Sequence, residues 1–113
     1  MRRQNVLQTF RQGDVLLERI AALPAEATLC RVDGDVILAY GEVTGHAHRL
    51  AVGTTQPYAK GGVWSPTAER FIRALPGASL THEEHTAIAI PEGFYRVTQQ
   101  VEYTAGAMRR VAD

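Results

Sequence analysis

Apolar and polar positions alternate most regularly between Gly93 and Thr104, where Tyr95, Val97, Val101 and Tyr103 are interleaved with Arg96, Thr98, Gln100 and Glu102. A period of two puts one set on a buried face and the other in water, which predicts a half-buried strand. The run Val15-Leu16-Leu17 through Ile20, opened by Gly13-Asp14, predicts another strand, with residues 1–12 as a polar lead-in. Leu29 to Val32 and Asp35 to Tyr40 read as two strands joined at Asp33-Gly34, because Asp-Gly supplies the positive φ that tight hairpins need. His46 to Val52 continues as a strand, and residues 54–66, rich in Gly, Pro, Thr and Ser, read as a long excursion with short strands. Ala68 to Leu75 fits helix or strand, and strand is preferred because its neighbours are strands. Ile88 and Ile90 form a shorter strand before Pro91-Glu92-Gly93, a hairpin-like turn composition, and the tail Ala105 to Ala112 predicts one or two helical turns. In the segment 21–27, Pro24 would interrupt a helix, so a loop is expected. The sum is an all-β chain, a small β-barrel or a two-sheet sandwich with a short C-terminal helical turn.

A length of 113 residues with 45% hydrophobic content fits one domain over 1–113 with a single core. Twelve basic against twelve acidic residues give zero formal net charge, which removes the simplest electrostatic argument for binding nucleic acid or an anionic membrane. Met1-Arg2-Arg3 is followed by no apolar run of signal length, and no stretch approaches the roughly 20 apolar residues of a bilayer span, so a soluble, cytoplasmic protein is expected. Cys30 is the one cysteine, so a metal site must be built from nitrogen and oxygen.

That constraint gives weight to the histidines. All four fall in two clusters, His46-Ala47-His48 and His82-Glu83-Glu84-His85. On a strand, His46 and His48 share a face and Ala47 points away. His82 and His85 cannot share a face of a regular strand but can do so on a turn, or on a single helical turn capped by Thr81. Converging, the clusters would make a four-nitrogen site, or three nitrogens with an open water position. Surface histidines, or histidines bonded within turns, would need no such clustering. Imidazole ligation alone does not separate Zn, Fe, Mn, Ni or Cu. Glu83 and Glu84, between two candidate ligands, are candidates for orienting an imidazole or shuttling a proton, with Glu42 nearby.

Other residues read more simply. Gly41 to Gly45 lacks the Lys and following helix of a phosphate loop. Arg49 points opposite His48 on a regular strand, as a surface charge. Tyr58, Trp64 and Phe71 suit packing, and Cys30 suits inert filling in an apolar segment.

Gln12-Gly13-Asp14-Val15-Leu16-Leu17, Gly41 to His48 (Gly-Glu-Val-Thr-Gly-His-Ala-His), Leu80 to His85 (Leu-Thr-His-Glu-Glu-His), and Tyr95-Arg96-Val97 through Glu102-Tyr103-Thr104 resemble a family of small uncharacterised bacterial and phage proteins. The resemblance implies that these motifs act as one unit, and implies no reaction or substrate. His46-x-His48 with Gly41 also resembles the first half of the cupin motif. No Glu follows at cupin spacing, where Val52 and Gly53 stand, and the second cluster precedes rather than follows Pro91-Glu92-Gly93.

Three functions follow in order. The first is a divalent-metal-binding β-domain, with hydrolysis if a coordination position is open. The second is a metal-independent phosphodiesterase or ribonuclease using one histidine as base and another as acid, against which zero net charge counts. The third is a non-catalytic module whose exposed strand edge pairs with a protein partner.

Overall fold

A computed structural model describes residues 8–104 and 107–110, with side chains to residue 100. Twelve strands follow one another: β1 (Thr9–Gln12), β2 (Val15–Ile20), β3 (Ala27–Leu29), β4 (Val36–Tyr40), β5 (Ala47–Leu50), β6 (Thr55–Lys60), β7 (Arg70–Ala74), β8 (Ser79–His82), β9 (His85–Ala89), β10 (Gly93–Gln99), β11 (Val101–Thr104) and β12 (Ala107–Arg110). They pair antiparallel in a six-stranded sheet of order β1-β2-β10-β7-β6-β3, a four-stranded sheet β4-β5-β8-β9, and the hairpin β11-β12. Neither large sheet closes into a barrel among the described residues, so the all-β reading resolves as a sandwich.

The buried faces follow the alternation in sequence. In β10, Tyr95 and Val97 are buried while Arg96 is exposed. In β2, Val15 and Leu17 face inward; from the second sheet Val36, Leu38, Leu50 and Leu80 complete the same core, with Ile72 of β7. Tyr95 is fully buried because its hydroxyl donates to Pro91 O at 2.7 Å, which removes the penalty of an unbonded phenol.

Four local expectations are corrected. Thr9–Gln12 is a strand rather than lead-in, joined to β2 by a turn at Gly13, whose φ of 58° suits glycine. Asp33-Gly34 closes no hairpin: β3 pairs with β6, Leu29 opposite Tyr58, while β4 pairs with β5, so the bend carries the chain from one sheet to the other. Pro91-Glu92-Gly93 likewise links β9 to β10 across the two sheets. In the tail, residues 107–110 form a strand on β11 where helical turns were expected; residues 105–106 and 111–112 of that expectation lie outside the described residues. Among the described residues, no helix is long and apolar enough to cross a membrane.

Candidate metal centre

The first histidine cluster stands at the β4–β5 hairpin. Gly45, at φ 86°, closes that turn, with Gly41 N donating to His46 O at 2.8 Å and His46 N to Val43 O at 3.0 Å. His46 therefore lies at the end of the turn, and β5 begins one residue later. Opposite Ile37 to Ala39 the register slips by one residue, a bulge that sets Ala39 against His48. His48 is fully buried, on the same face as Leu50.

The second cluster is a tight β-hairpin. Glu83-Glu84 forms its two-residue turn, and His82 of β8 stands directly across from His85 of β9. Opposed residues of an antiparallel pair point to one face, which is how two side chains three apart in sequence come together without a helical turn. A bulge between Leu80 and His82 adds a residue to the β9 side. β8 lies beside β5, with Arg49 opposite Thr81, and this brings the two clusters into one place.

There, His48, His82 and His85 each present a ring nitrogen within 4.8 Å of the others. Ring centroids lie 4.3 Å apart for His48 and His82, 4.7 Å for His82 and His85, and 5.5 Å for His48 and His85. Tetrahedral ligation at about 2.0–2.1 Å needs nitrogens roughly 3.4 Å apart, so side-chain adjustments on the order of 1 Å would close the three around an ion. His82 is buried and His85 half-buried. His85 Nε2 is itself buried and has no hydrogen-bond partner among the described residues.

Two polar residues absent from the sequence-based site surround His48. Gln12, 3% exposed, donates from Nε2 to Leu80 O (3.1 Å) and Thr86 O (3.0 Å), carbonyls flanking the bulge, and its Oε1 lies 2.9 Å from His48 Nδ1. With the amide nitrogen committed to carbonyls, Oε1 is an acceptor, so His48 Nδ1 carries a proton, and Nε2 is turned to the Asp14 side. This is the outer hydrogen bond by which proteins fix a metal-ligating tautomer. Asp14, also fully buried, brings Oδ1 to 3.3 Å from His48 Nε2, while its Oδ2 accepts from Gln99 Nε2 at 2.8 Å. The carboxylate places a negative charge beside the His48 ring, favourable to a cation. Both residues belong to the motif Gln12-Gly13-Asp14, which was the one available signal for them.

His46 stands outside the group of three. Its ring lies 5.9 Å from that of His82, edge on, and its Nδ1 is 2.5 Å from Glu84 Oε2 at the more exposed mouth. Glu83 is engaged elsewhere: Oε1 accepts from Ala47 N (2.9 Å) and Oε2 from Arg49 Nη2 (3.1 Å). Glu83 thereby extends the β5–β8 contact past the last paired residues. The Ala47 amide bond first, then its own backbone amide, hold the Glu83 carboxyl below its usual range, with burial opposing and the Arg49 guanidinium adding a smaller downward pull. His82 Nδ1 accepts from Glu84 N at 3.0 Å. Ligation through that nitrogen would replace this hydrogen bond, and ligation through Nε2 would require the ring proton to sit on Nδ1.

Glu42 is exposed, and Arg49 faces away from His48. Cys30 is buried alongside β6, its N–H donating to Pro57 O at 2.9 Å and its thiol pushed up by desolvation.

Together these features define an all-β, two-sheet fold with a largely buried cluster of three histidines. Residues 11–100 match the family described as a domain of unknown function (DUF8820), and the chain belongs to that family. No curated protein and no solved structure matches it.

Proposed function

We propose that this chain is a metal-binding β-domain in which His48, His82 and His85 hold one divalent transition-metal ion and leave a coordination position on the side of the His46–Glu84 pair. The observation that carries the reading is the convergence of three imidazoles, one with an orphaned buried nitrogen, about a His48 ring whose Nδ1 is fixed by Gln12. An ion completes that nitrogen, and the Asp14 carboxylate offsets part of its charge.

Hydrolysis is the chemistry this arrangement supports best. An ion held by His48, His82 and His85 would supply Lewis-acid activation of a water. His46, with Nδ1 donating to the Glu84 carboxylate, keeps Nε2 as an acceptor for that water's proton. Glu84 is then a positioning residue, and Glu83, with both oxygens occupied, serves the architecture of β5. A metal-free acid/base reading draws on one observation: the His46–Glu84 pair is complete without an ion.

The test starts from untagged protein stripped with a chelator and titrated with Co(II). A saturable visible spectrum of nitrogen-ligated cobalt, displaced by Zn(II), is expected. The reloaded protein is then assayed on p-nitrophenyl esters and bis(p-nitrophenyl) phosphate. Turnover that disappears on stripping supports the hydrolytic reading, turnover that survives stripping supports the metal-free one, and absence of any cobalt spectrum removes the metal centre.

A further inference from the structure

A second polar group is buried far from balance in this fold. Arg70 of β7 is 4% exposed, yet among the described residues its guanidinium makes one hydrogen bond, from Nη1 to Leu38 O at 2.9 Å. Its Nε is buried without an acceptor, and no described carboxylate lies within ion-pair distance. Glu69, the adjacent acid, is bound to Lys60 Nζ at 3.0 Å. The guanidinium lies over the Trp64 ring, 5.0 Å from its centroid, and that ring is fixed by Nε1 donating to Ile37 O at 2.8 Å. Burial alone pushes Arg70 down from its ordinary pKa, with no neighbouring charge acting on it. One carbonyl and one ring face offset little of the cost of desolvating a full charge.

Arg70 lines a cavity of about 280 Å³ between β4 and the β7–β10 pair. Its walls are apolar and aromatic, from Leu38, Ala39, Tyr40, Trp64 and Pro66, and Gln99 is its other polar residue. A neighbouring hollow of about 320 Å³ shares Pro66, Arg70 and Gln99 and adds a second guanidinium, Arg96. A concave, mostly apolar site with a few convergent polar groups is the usual form of a small-molecule site, and this volume falls just under the usual range of roughly 300–1,000 Å³, as suits a small ligand.

We infer that this cleft binds a small organic carboxylate, its planar anionic head on Arg70 and its apolar body against Trp64 and Pro66. The guanidinium fork matches a carboxylate in shape and single charge, and Arg70 is the one cation among the described residues lining the cavity itself, whereas a phosphate dianion there would bring a charge that it does not balance. Occupancy supplies the acceptors that the fold leaves out. The site is separate from the histidine cluster and does not rest on its metal.

Trp64 is the sole tryptophan, so its fluorescence reports the cleft directly. Wild-type protein is titrated with benzoate, acetate, benzyl alcohol and inorganic phosphate, with calorimetry as a second readout. Benzoate is expected to give a saturable change, and acetate and benzyl alcohol to bind at least about tenfold more weakly, since each lacks one half of the recognised chemistry. Arg70→Met should weaken benzoate by at least about tenfold while melting at or above the wild-type temperature, because an apolar isostere removes an uncompensated buried charge. Should Arg70→Met not fold, Arg70→Lys, which keeps the charge and loses the fork, is expected to bind several-fold more weakly. Benzyl alcohol or phosphate binding as tightly as benzoate, no saturable change with benzoate, or benzoate affinity unaltered in the Arg70 variants would overturn the inference.

Discussion

Replacing Gln12 by Met tests the link between fold and site at its most specific point. The side chain keeps its length and apolar stem but loses three hydrogen bonds, to Leu80 O, Thr86 O and His48 Nδ1. At about 1 kcal/mol each, and more where a buried partner is left unsatisfied, the loss is roughly 3–5 kcal/mol. For a domain of this size that lowers the melting temperature by roughly 12 °C or more. Freed of Gln12, His48 can rotate and exchange tautomers, and loss of such an outer contact weakens metal by about 10–100-fold. Gln12→Glu separates the two effects, because it keeps an acceptor for His48 Nδ1 while aiming a carboxylate at two carbonyls. It should lose as much stability as the Met variant but less metal affinity. The assay pairs thermal unfolding in chelator with zinc titration against a chromophoric competitor. Unchanged zinc affinity in Gln12→Met would refute the proposed role of the amide, whatever happens to stability.

Other outcomes follow from the same geometry. Val97→Asp buries an unpaired carboxylate on the inner face of β10 and should cost more than about 3 kcal/mol, while Thr98→Asp on the opposite face should cost under about 1 kcal/mol; equal losses by denaturant melts would contradict the half-buried strand. Because the folded-state pKa of Glu83 is depressed, its contribution to stability is present above the ordinary carboxylate range and lost as pH falls through the folded value. The stability gap between wild type and Glu83→Gln should therefore narrow below about pH 4, and a gap independent of pH would count against the Ala47 bond as its source. Glu84→Gln should depress metal-dependent turnover with metal content unchanged, since it alters His46 and not the three ligating rings; a parallel loss of metal would place Glu84 nearer the ion than proposed.

What could be read from the sequence was what local pattern decides. The period of two over Gly93 to Thr104 located β10 and its inner face but not the break after Gln99 that starts β11 in another sheet, and the clustering of histidines picked out three side chains that the fold brings together. What escaped was decided by distant partners. Asp33-Gly34 has hairpin chemistry, but β6 claims β3 through Leu29 and Tyr58, and no residue near the bend encodes that competition. Thr9–Gln12 looked polar because only Phe10 is apolar, and it becomes a strand through pairing with β2. Gln12 read as the end of a polar lead-in and Asp14 as the opening of the β2 run, and their place beside His48 is a property of the assembled sandwich. The His82–His85 pair shows the opposite case. Its spacing was legible, and the two-residue turn between the rings supplied the convergence that a strand alone forbids.

The central claim is that three particular histidines share one ion. Metal per chain, measured by elemental analysis on untagged wild type and on His46→Ala, His48→Ala, His82→Ala and His85→Ala after zinc loading and desalting, tests it most directly. The account predicts about one equivalent in wild type and in His46→Ala, and well under half of that in each of the other three. Full occupancy in any of His48→Ala, His82→Ala or His85→Ala, or a wild type that retains no metal, would contradict it.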